Sequence, residues 1–253
     1  MNIEKEIDRI VSFIQATFRN SGAQGIIVGL SGGIDSATTA ALCTRAVRRE
    51  KIMGLLLPCH SNTADLNDAM LIIKHLSIKY DIFILDRFSD LFIQNFSEKF
   101  EIAILAEANL KPRLRMTTQY LYANQLNYLV AGTGNKSEID IGYFTKYGDG
   151  GVDFLPISHL YKREVRLIAA SLALPKKIID RTPTTGLWIG QTDEEEISKQ
   201  LGFPITYEEL DQMLEHVEHN DFDENDAHFQ KLVTLMEKNK HKTAYPPHLT
   251  RVS

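Results

Sequence analysis

Six consecutive residues, Ser31–Ser36, have the composition of an anion-binding turn. Glycines at positions 32 and 33 allow backbone torsions closed to other residues, so successive amide N–H groups can point at one anion. The helix predicted after the turn adds the positive end of its dipole. Asp35 is poorly suited to contact a phosphate directly but well suited to hold Mg²⁺ against it. No lysine follows the glycines, so the turn is not a Walker A loop.

A tight strand-to-helix turn with a serine N-cap would explain the glycine pair alone. The full string follows the apolar run Gly25–Leu30 and resembles the PP-loop, S-G-G-x-D-S, of the ATP-pyrophosphatase superfamily. Members of that superfamily cleave ATP between the α- and β-phosphates, and the loop holds the departing pyrophosphate. The resemblance therefore implies an enzyme that uses ATP.

Further strings resemble the NAD synthetase family within this superfamily, and they occur in the expected order along nearly the whole chain. They are Arg113–Met116, Gly132–Glu138, Gly142–Gly150, Pro183–Leu187 and His241–Lys242, with Asp153 and Lys162 in register. The second and third strings are highly specific to the family. The resemblance implies ATP-dependent amidation of deamido-NAD by ammonia to NAD, through an adenylated carboxylate, with release of AMP and pyrophosphate.

The resemblance also implies a role for each matching residue. The catalytic residues would be Asp35, Lys162 and Asp149, and the Mg²⁺ ligands would be Asp35 and Glu138. The residues implied for ATP binding are Leu30, Ser31, Gly32, Gly33, Ile34, Asp35, Ser36, Thr133, Lys162 and Thr184. Those implied for deamido-NAD are Arg115, Lys146, Asp153, His241 and Lys242.

Several of these residues also have ordinary structural explanations. Arg113 and Arg115 could be solvated helix charges, and Glu138 could be an ordinary acid at a helix N-terminus. Lys146 and Asp153 could be polar loop residues, and His241 and Lys242 could be frayed residues near a chain end. His216 and His219 have the spacing of a weak metal pair. The sequence offers no third ligand beside them, so an exposed helix face is the better interpretation.

The elements that must position these residues alternate between strand and helix. Short apolar runs predict strands at Gly25–Leu30, Ile52–Leu57, Ile82–Leu85 and Leu129–Ala131, with a fifth opening at Pro156–Ile157. This alternation predicts a doubly wound α/β fold with a mainly five-stranded parallel sheet. The PP-loop would lie at the carboxyl end of the first strand, where such sheets bind ligands.

Helical spacing predicts one long helix-rich segment, Phe88–Asn127, with a break at Lys111–Pro112. The four glycines and few apolar residues of Gly142–Asp153 predict a mobile loop. From Thr182 onward helices predominate. We expect one domain over residues 1–253, made of an α/β core (1–181) and a mostly helical C-terminal extension (182–253).

Composition narrows the function further. The 253 residues are 43% hydrophobic and carry a net charge of −5, which is unlike a general nucleic-acid binder. The cysteines, Cys43 and Cys59, have no metal-ligand or redox spacing, which favours a reducing, cytoplasmic compartment. No apolar run approaches the ~20 residues that span a bilayer, and the charged start Met1–Arg9 lacks the apolar core of a signal peptide.

Partners can also be predicted. The 24 residues before Gly25 are too few for the N-terminal glutaminase domain that some family members carry, so free ammonia is the expected nitrogen donor. The resemblance implies a homodimer, with the apolar and tyrosine-rich Phe88–Asn127 segment at the interface. Two other hypotheses remain: a tRNA-modifying PP-loop enzyme, which the acidic charge and the lack of paired cysteines disfavour, and a non-catalytic nucleotide binder, which would not need both Asp35 and Glu138.

Overall fold

The computed structural model describes residues 1–184 and 192–249. In these residues the sheet has four parallel strands in the order β3-β2-β1-β4. The strands are β1 (Gly25–Gly29), β2 (Ile52–Leu56), β3 (Lys79–Ile82) and β4 (Tyr128–Ala131). The chain runs outward from β1 through β2 to β3 and then returns to the other side of β1 with β4. The loops after β1 and β4 are therefore neighbours at the switch point, where open parallel sheets bind ligands.

Helices surround the sheet and continue to the C-terminal region. They are α1 (Ile3–Ser21), α2 (Ile34–Ala46), α3 (Thr63–Leu76), α4 (Asp86–Ser97), α5 (Ile104–Leu126), α6 (Lys136–Ile141), α7 (Lys162–Ser171), α8 (Lys176–Ile179), α9 (Asp193–Leu201), α10 (Tyr207–Glu218) and α11 (Ala227–Asn239). Short 3₁₀ turns lie at Arg49–Lys51 and Lys240–Lys242.

Strand β1 is buried on both faces of the sheet, and its successive side chains point to opposite sides. Ile26 and Val28 face a core built with α1, α2, α3 and α7. Ile27 faces the opposite core, where α5 contributes Ala123. The doubly wound α/β prediction is confirmed.

The predicted fifth strand at Pro156–Ile157 is wrong. The chain instead makes a single parallel bridge from Phe154 to Ala131, and the Gly132 N–H donates to the Phe154 carbonyl at 2.8 Å. Pro156 cannot donate a ladder hydrogen bond, and Ile157 is fully buried in the core beside α7 rather than in the sheet.

The helical segment also differs from its prediction. Helix α5 continues through Pro112, and the interruption lies between Ser97 and Ile104. Pro112 is buried against the turn at Gly148, where a Cβ would lie 3.1 Å from the Pro112 Cβ. This packing offsets the free-energy cost of the hydrogen bond that a proline removes from a helix interior.

A further apolar core lies in the helical C-terminal region. Side chains of α9, α10 and α11 pack there against Ile141 and Tyr161, which belong to the α/β part of the chain. Thr206 and Glu209 form a capping box that begins α10. Among the helices that the structure describes, none is long and apolar enough to cross a membrane.

Candidate functional site

The turn Ser31–Ser36 connects β1 to α2 and is held by its own hydroxyl groups. The Ser31 N–H donates to Ser36 Oγ at 3.3 Å, and the Gly33 N–H donates to Ser31 Oγ at 3.2 Å. Gly32 has φ +83°, and a Cβ there would lie 2.6 Å from the Asp65 carbonyl oxygen. Within the described part of the chain, no side chain caps the first turn of α2. The N–H groups at this helix start therefore face the turn and suit an anion.

Two of the predicted ATP-binding positions, Leu30 and Ile34, have side chains buried in the core at 5% exposure. These residues can offer a ligand only their main-chain groups. Ser31, by contrast, is exposed on the turn.

Arg181 braces the turn from outside and was missed in the sequence. Its Nη1 donates to the Gly32 carbonyl at 3.4 Å and to Asp68 Oδ2 at 3.0 Å, and its Nη2 pairs with Asp65. Asp65 and Asp68 lie on α3, so the arginine ties this helix to the turn.

Three predicted residues meet beside the turn: Asp35, Glu138 and Lys162. The Lys162 ammonium donates to Asp35 Oδ2 at 2.6 Å and to Glu138 Oε1 at 3.0 Å. Each residue lies in the first turn of a different helix, α2, α6 and α7. The three are separated by up to 127 positions in the sequence, and the switch point of the sheet brings them together. We call them the Lys162 cluster.

Asn135 connects the Asp35 carboxylate to the start of α6, the helix that carries Glu138. Its Nδ2 donates to Asp35 Oδ1 at 2.9 Å, and its Oδ1 accepts from the Glu138 N–H at 3.1 Å as the N-cap of α6. The side chain is fully buried. Sequence analysis placed Asn135 in a family string without a role, although an asparagine three residues before a glutamate at a helix start is a capping signal.

Burial and charge pairing act in opposite directions on the Lys162 cluster. Burial alone would lower the pKa of the Lys162 ammonium, but the charges of Asp35 and Glu138 outweigh it and raise that pKa. Burial raises the pKa of the Glu138 carboxyl, and the Asp35 and Asp193 charges add to the rise, while Lys162 opposes it. The cluster thus holds a charged lysine whose compensating carboxylates crowd one another, an arrangement suited to accept further positive charge.

Two further predicted ATP residues, Thr133 and Thr184, lie in loops. Thr133 belongs to the same turn after β4 as Asn135. Thr184 is exposed at the last described position before residues 185–191, and positions 185–187 of the predicted string Pro183–Leu187 lie outside the described residues.

The predicted deamido-NAD residues form contacts of a different kind. Arg115 Nε donates to the Leu57 carbonyl at 3.1 Å and Nη2 donates to Ser61 Oγ at 3.3 Å, which fixes the loop after β2. Asp153 accepts from the Val130 N–H at 2.7 Å and from the Tyr120 hydroxyl at 3.0 Å. Both carboxylate oxygens of Asp153 therefore brace the main chain and α5.

The glycine-rich loop and the C-terminal 3₁₀ turn are joined by two lysines. Lys242 donates to the Gly142 carbonyl at 2.6 Å and to the Phe144 carbonyl at 3.0 Å. Lys146 donates to the main-chain carbonyl of His241. Asp149 accepts a hydrogen bond from the Thr145 N–H at 2.9 Å. Burial raises the pKa of the Asp149 carboxyl, and the positive charges of Arg115 and Lys242 oppose that rise.

His216 lies on α10 and His219 directly follows that helix, and both side chains are exposed. His219 Nδ1 lies 2.7 Å from the Glu215 carbonyl, and His216 Nδ1 lies 3.6 Å from Asp221. Across residues 1–184 and 192–249, no group of three or more His, Cys, Asp or Glu side chains is placed to hold a metal ion. The exposure of both side chains agrees with the exposed-face interpretation.

The family model and a sequence relative indicate the same family. The sequence model of the NAD synthase family matches residues 6–246. The NH(3)-dependent NAD(+) synthetase of Archaeoglobus fulgidus is 45% identical over 98% of this chain and 97% of its own length. Among solved structures, NMN synthetase from Francisella tularensis superposes with a TM-score of 0.86 at 32% identity, covering 99% of both chains. NH3-dependent NAD synthetase from Campylobacter jejuni, in complex with the nitrate ion, gives a TM-score of 0.82 at 33% identity, covering 99% of this chain and 100% of its own.

Proposed function

The chain belongs to the NAD synthase family, and we propose that it is a ligase that amidates deamido-NAD with ammonia at the expense of ATP. The observation that carries the proposal is the Lys162 cluster beside the Ser31–Ser36 turn. A buried ammonium and two carboxylates face an uncapped helix start at the switch point of the sheet. That arrangement suits a triphosphate with its metal ion.

The reaction has to overcome one chemical difficulty. Ammonia does not attack a carboxylate readily, because the leaving group would be oxide. A carboxylate oxygen of the substrate therefore attacks the α-phosphorus of ATP, the bond to the β-phosphate breaks, and pyrophosphate leaves. Ammonia then attacks the acyl carbon of the adenylate, the bond from that carbon to the AMP oxygen breaks, and the nitrogen loses a proton. The products are the amide, AMP and pyrophosphate.

This chain's residues would act mainly by position and charge. We assign the pyrophosphate to Ser31, Gly32, Gly33, Ser36 and the main chain of Leu30 and Ile34. Lys162 would offset the negative charge that develops on the leaving group. Thr133 and Thr184 would complete the ATP contacts.

Asp35 and Glu138 would hold Mg²⁺. Their hard carboxylate oxygens suit that ion, which proteins commonly bind through one or two carboxylates with phosphates completing the shell. Both side chains face a common point at the Lys162 ammonium. When bound, Mg²⁺ would neutralise charge on the phosphates and orient them.

We assign the dinucleotide to the region between the loop after β2 and the loop–tail contact. Arg115, Lys146 and Lys242 supply the positive charge that a pyrophosphate and a nicotinate carboxylate require. His241, which precedes Lys242 in the chain, and Asp153 would complete the proposed set. Asp149 would help to cover the reacting groups.

A second candidate substrate has support of its own. The Francisella structure with a TM-score of 0.86 is an NMN synthetase, and the mononucleotide carries the same nicotinate carboxylate as deamido-NAD. The amidation chemistry would be unchanged, and only the contacts with the second nucleotide would be missing.

Product analysis tests the proposal and separates the two substrates. The enzyme is incubated with ATP, ¹⁵N-ammonium and either deamido-NAD or nicotinate mononucleotide, and the products are identified by mass spectrometry. We expect ¹⁵N in NAD and a higher kcat/KM for the dinucleotide. Labelled mononucleotide with the higher kcat/KM would support the second candidate, and no labelled amide from either substrate would contradict both.

We also propose that two copies of this chain form a homodimer in the cytoplasm. Large apolar side chains of α4 and α5 are exposed, including Ile104 at 77% and Leu105 at 66%. A second copy would cover this face. The cytoplasm is proposed because both cysteines, which lie in the described residues, are free and buried.

Finally, we propose that residues 1–253 act as one domain. The helical extension that starts near residue 182 shares its core with Ile141 and Tyr161, so it supports the α/β part directly.

A further inference from the structure

Helix α10 carries two buried polar side chains on one face. Tyr207 and Asp211 are four positions apart, which places them on the same side of a helix. Tyr207 is 1% exposed and Asp211 is fully buried. Buried polar groups are retained only where they find partners, and the partners of both residues lead to the Lys162 cluster.

Tyr207 contacts the side chains of that cluster. The Lys162 ammonium lies 4.9 Å from the centre of the Tyr207 ring, within the range of a cation–π contact. The Tyr207 hydroxyl lies 3.4 Å from Glu138 Oε1 and 3.4 Å from Asp193 Oδ2, so its single proton is shared between two carboxylates. The ring thus supports the lysine while the hydroxyl orients the glutamate.

Asp211 acts on the main chain beneath the same cluster. Its Oδ2 accepts from the Arg163 N–H at 2.9 Å, and its Oδ1 accepts from the Ser137 hydroxyl. Ser137 Oγ in turn accepts from the Lys162 N–H at 2.9 Å. One carboxylate therefore fixes the start of α7, which carries Lys162, and the start of α6, which carries Glu138.

We infer that α10 is a positioning element for the phosphate and metal site, with Tyr207 a positioning residue for Lys162 and Glu138, and Asp211 a positioning residue for the helix starts that carry them. The inference rests on the proposed function for the identity of the ligands. A merely structural role would make α10 a source of stability and nothing more. The two roles differ in what a change at the Tyr207 hydroxyl does to ion binding.

The test removes that hydroxyl and keeps the ring. In Tyr207→Phe we expect the Mn²⁺ dissociation constant, measured by electron paramagnetic resonance with a non-hydrolysable ATP analogue, to rise about 10-fold, the scale of a lost hydrogen bond to a charged group. We expect kcat to fall by a similar factor and the KM for deamido-NAD to stay within about twofold, because the dinucleotide residues are untouched.

Tyr161→Phe is the matched control. Tyr161 is also a buried tyrosine of the same apolar core, and its hydroxyl donates to Glu218 at 2.8 Å rather than to the Lys162 cluster. We expect its Mn²⁺ binding to match the wild type. Asp211→Asn is a second variant that reaches the site through the main chain, and we expect weaker Mn²⁺ binding there as well. Binding is expressed per folded molecule, with folding followed by circular dichroism.

If Tyr207→Phe binds Mn²⁺ and turns over as the wild type does, the inference is overturned, whatever the effect of the substitution on the melting temperature. An equal loss in Tyr161→Phe would also overturn it. The proposed function fails separately: if the wild type forms no amide but Tyr207→Phe still weakens Mn²⁺ binding, the positioning role stands and the assigned reaction does not.

Discussion

Lys162 is the residue on which the proposed chemistry depends most directly. Its side chain is 2% exposed and lies between Asp35 and Glu138. A buried charge is costly without partners. Removal of the lysine would leave two buried carboxylates side by side, so one substitution should affect both catalysis and stability.

Lys162→Met should lower kcat by at least about 100-fold, because the substitution removes the preorganised positive charge that offsets the charge of the leaving group. It should also lower the free energy of unfolding by about 3 kcal/mol or more, and Mg²⁺ should restore part of that loss by neutralising the carboxylates. Urea denaturation with and without Mg²⁺ measures the second effect. Lys199→Met, at an exposed ion pair, is the control, and equal unfolding midpoints in the two variants would contradict the account.

Asp35→Asn tests the metal role. The substitution keeps the volume and removes the charge, so we expect an intact fold and a loss in Mg²⁺-ATP turnover of about 100-fold or more. Asp8→Asn, on the exposed face of α1, should match the wild type. Activity of Asp35→Asn within about threefold of the wild type at saturating Mg²⁺ would show that the assignment is wrong, since one lost charge contact costs much more.

At the residue scale, a local motif could be predicted and a distant partner could not. The Ser31–Ser36 turn is contiguous, so its string alone indicates an anion site. Tyr207 and Asp211 resemble ordinary residues at the start of an amphipathic helix. Their role depends on a three-dimensional contact with Lys162, to which no local spacing points.

The main functional element beyond the turn is the contact between the glycine-rich loop and the C-terminal 3₁₀ turn. The glycine-rich loop, Gly142–Asp153, was predicted from its composition to be mobile. In the structure Lys242 and Lys146 join this loop to the 3₁₀ turn through main-chain carbonyls. Burial lowers the pKa of the Lys242 ammonium, so this lysine lies in a partly desolvated position that a dinucleotide could share.

Lys242→Ala should loosen this contact. We expect faster amide hydrogen exchange in residues 142–149 and a KM for deamido-NAD raised about 10-fold, as for a lost hydrogen bond to a charged group. Lys240→Ala is the control, since Lys240 lies two residues away and pairs with the exposed Glu237. Substrates should slow exchange in the wild-type loop, and identical exchange with and without them would contradict a substrate-responsive lid.

Element boundaries were predicted where one local signal dominates. Strand β1 and the turn after it follow from an apolar run and two glycines. The fifth strand and the break at Pro112 failed because tertiary packing overrides local preference: Ile157 is used in a helix-facing core, and Pro112 is used against Gly148.

At the scale of the whole molecule, large apolar side chains of α4, α5 and the connection between them are exposed to solvent. They are Phe88, Leu91, Phe92, Phe96, Phe100, Ile104, Leu105 and Leu121. Exposed apolar side chains that are scattered singly are normal on a monomer, whereas these are concentrated in one segment of the chain. We therefore expect a dimer in which this face is covered.

Leu105→Asp should convert that dimer to a monomer, because it buries an unpaired charge at the interface. Leu167→Asp is the matched control: Leu167 is 55% exposed but lies on α7, away from this face. Light scattering at micromolar concentration measures the mass. A monomeric wild type, or an equal effect of the two substitutions, would contradict the proposed interface.

The proposed reaction activates a nicotinate carboxylate by transferring AMP to it. Deamido-NAD labelled with ¹⁸O in that carboxylate tests this directly, because the attacking oxygen stays on AMP when ammonia displaces it. With ATP, Mg²⁺ and ammonium, we expect one ¹⁸O atom in AMP for each NAD formed and none in pyrophosphate. Unlabelled AMP alongside NAD formation, or label in pyrophosphate, would contradict the proposed reaction.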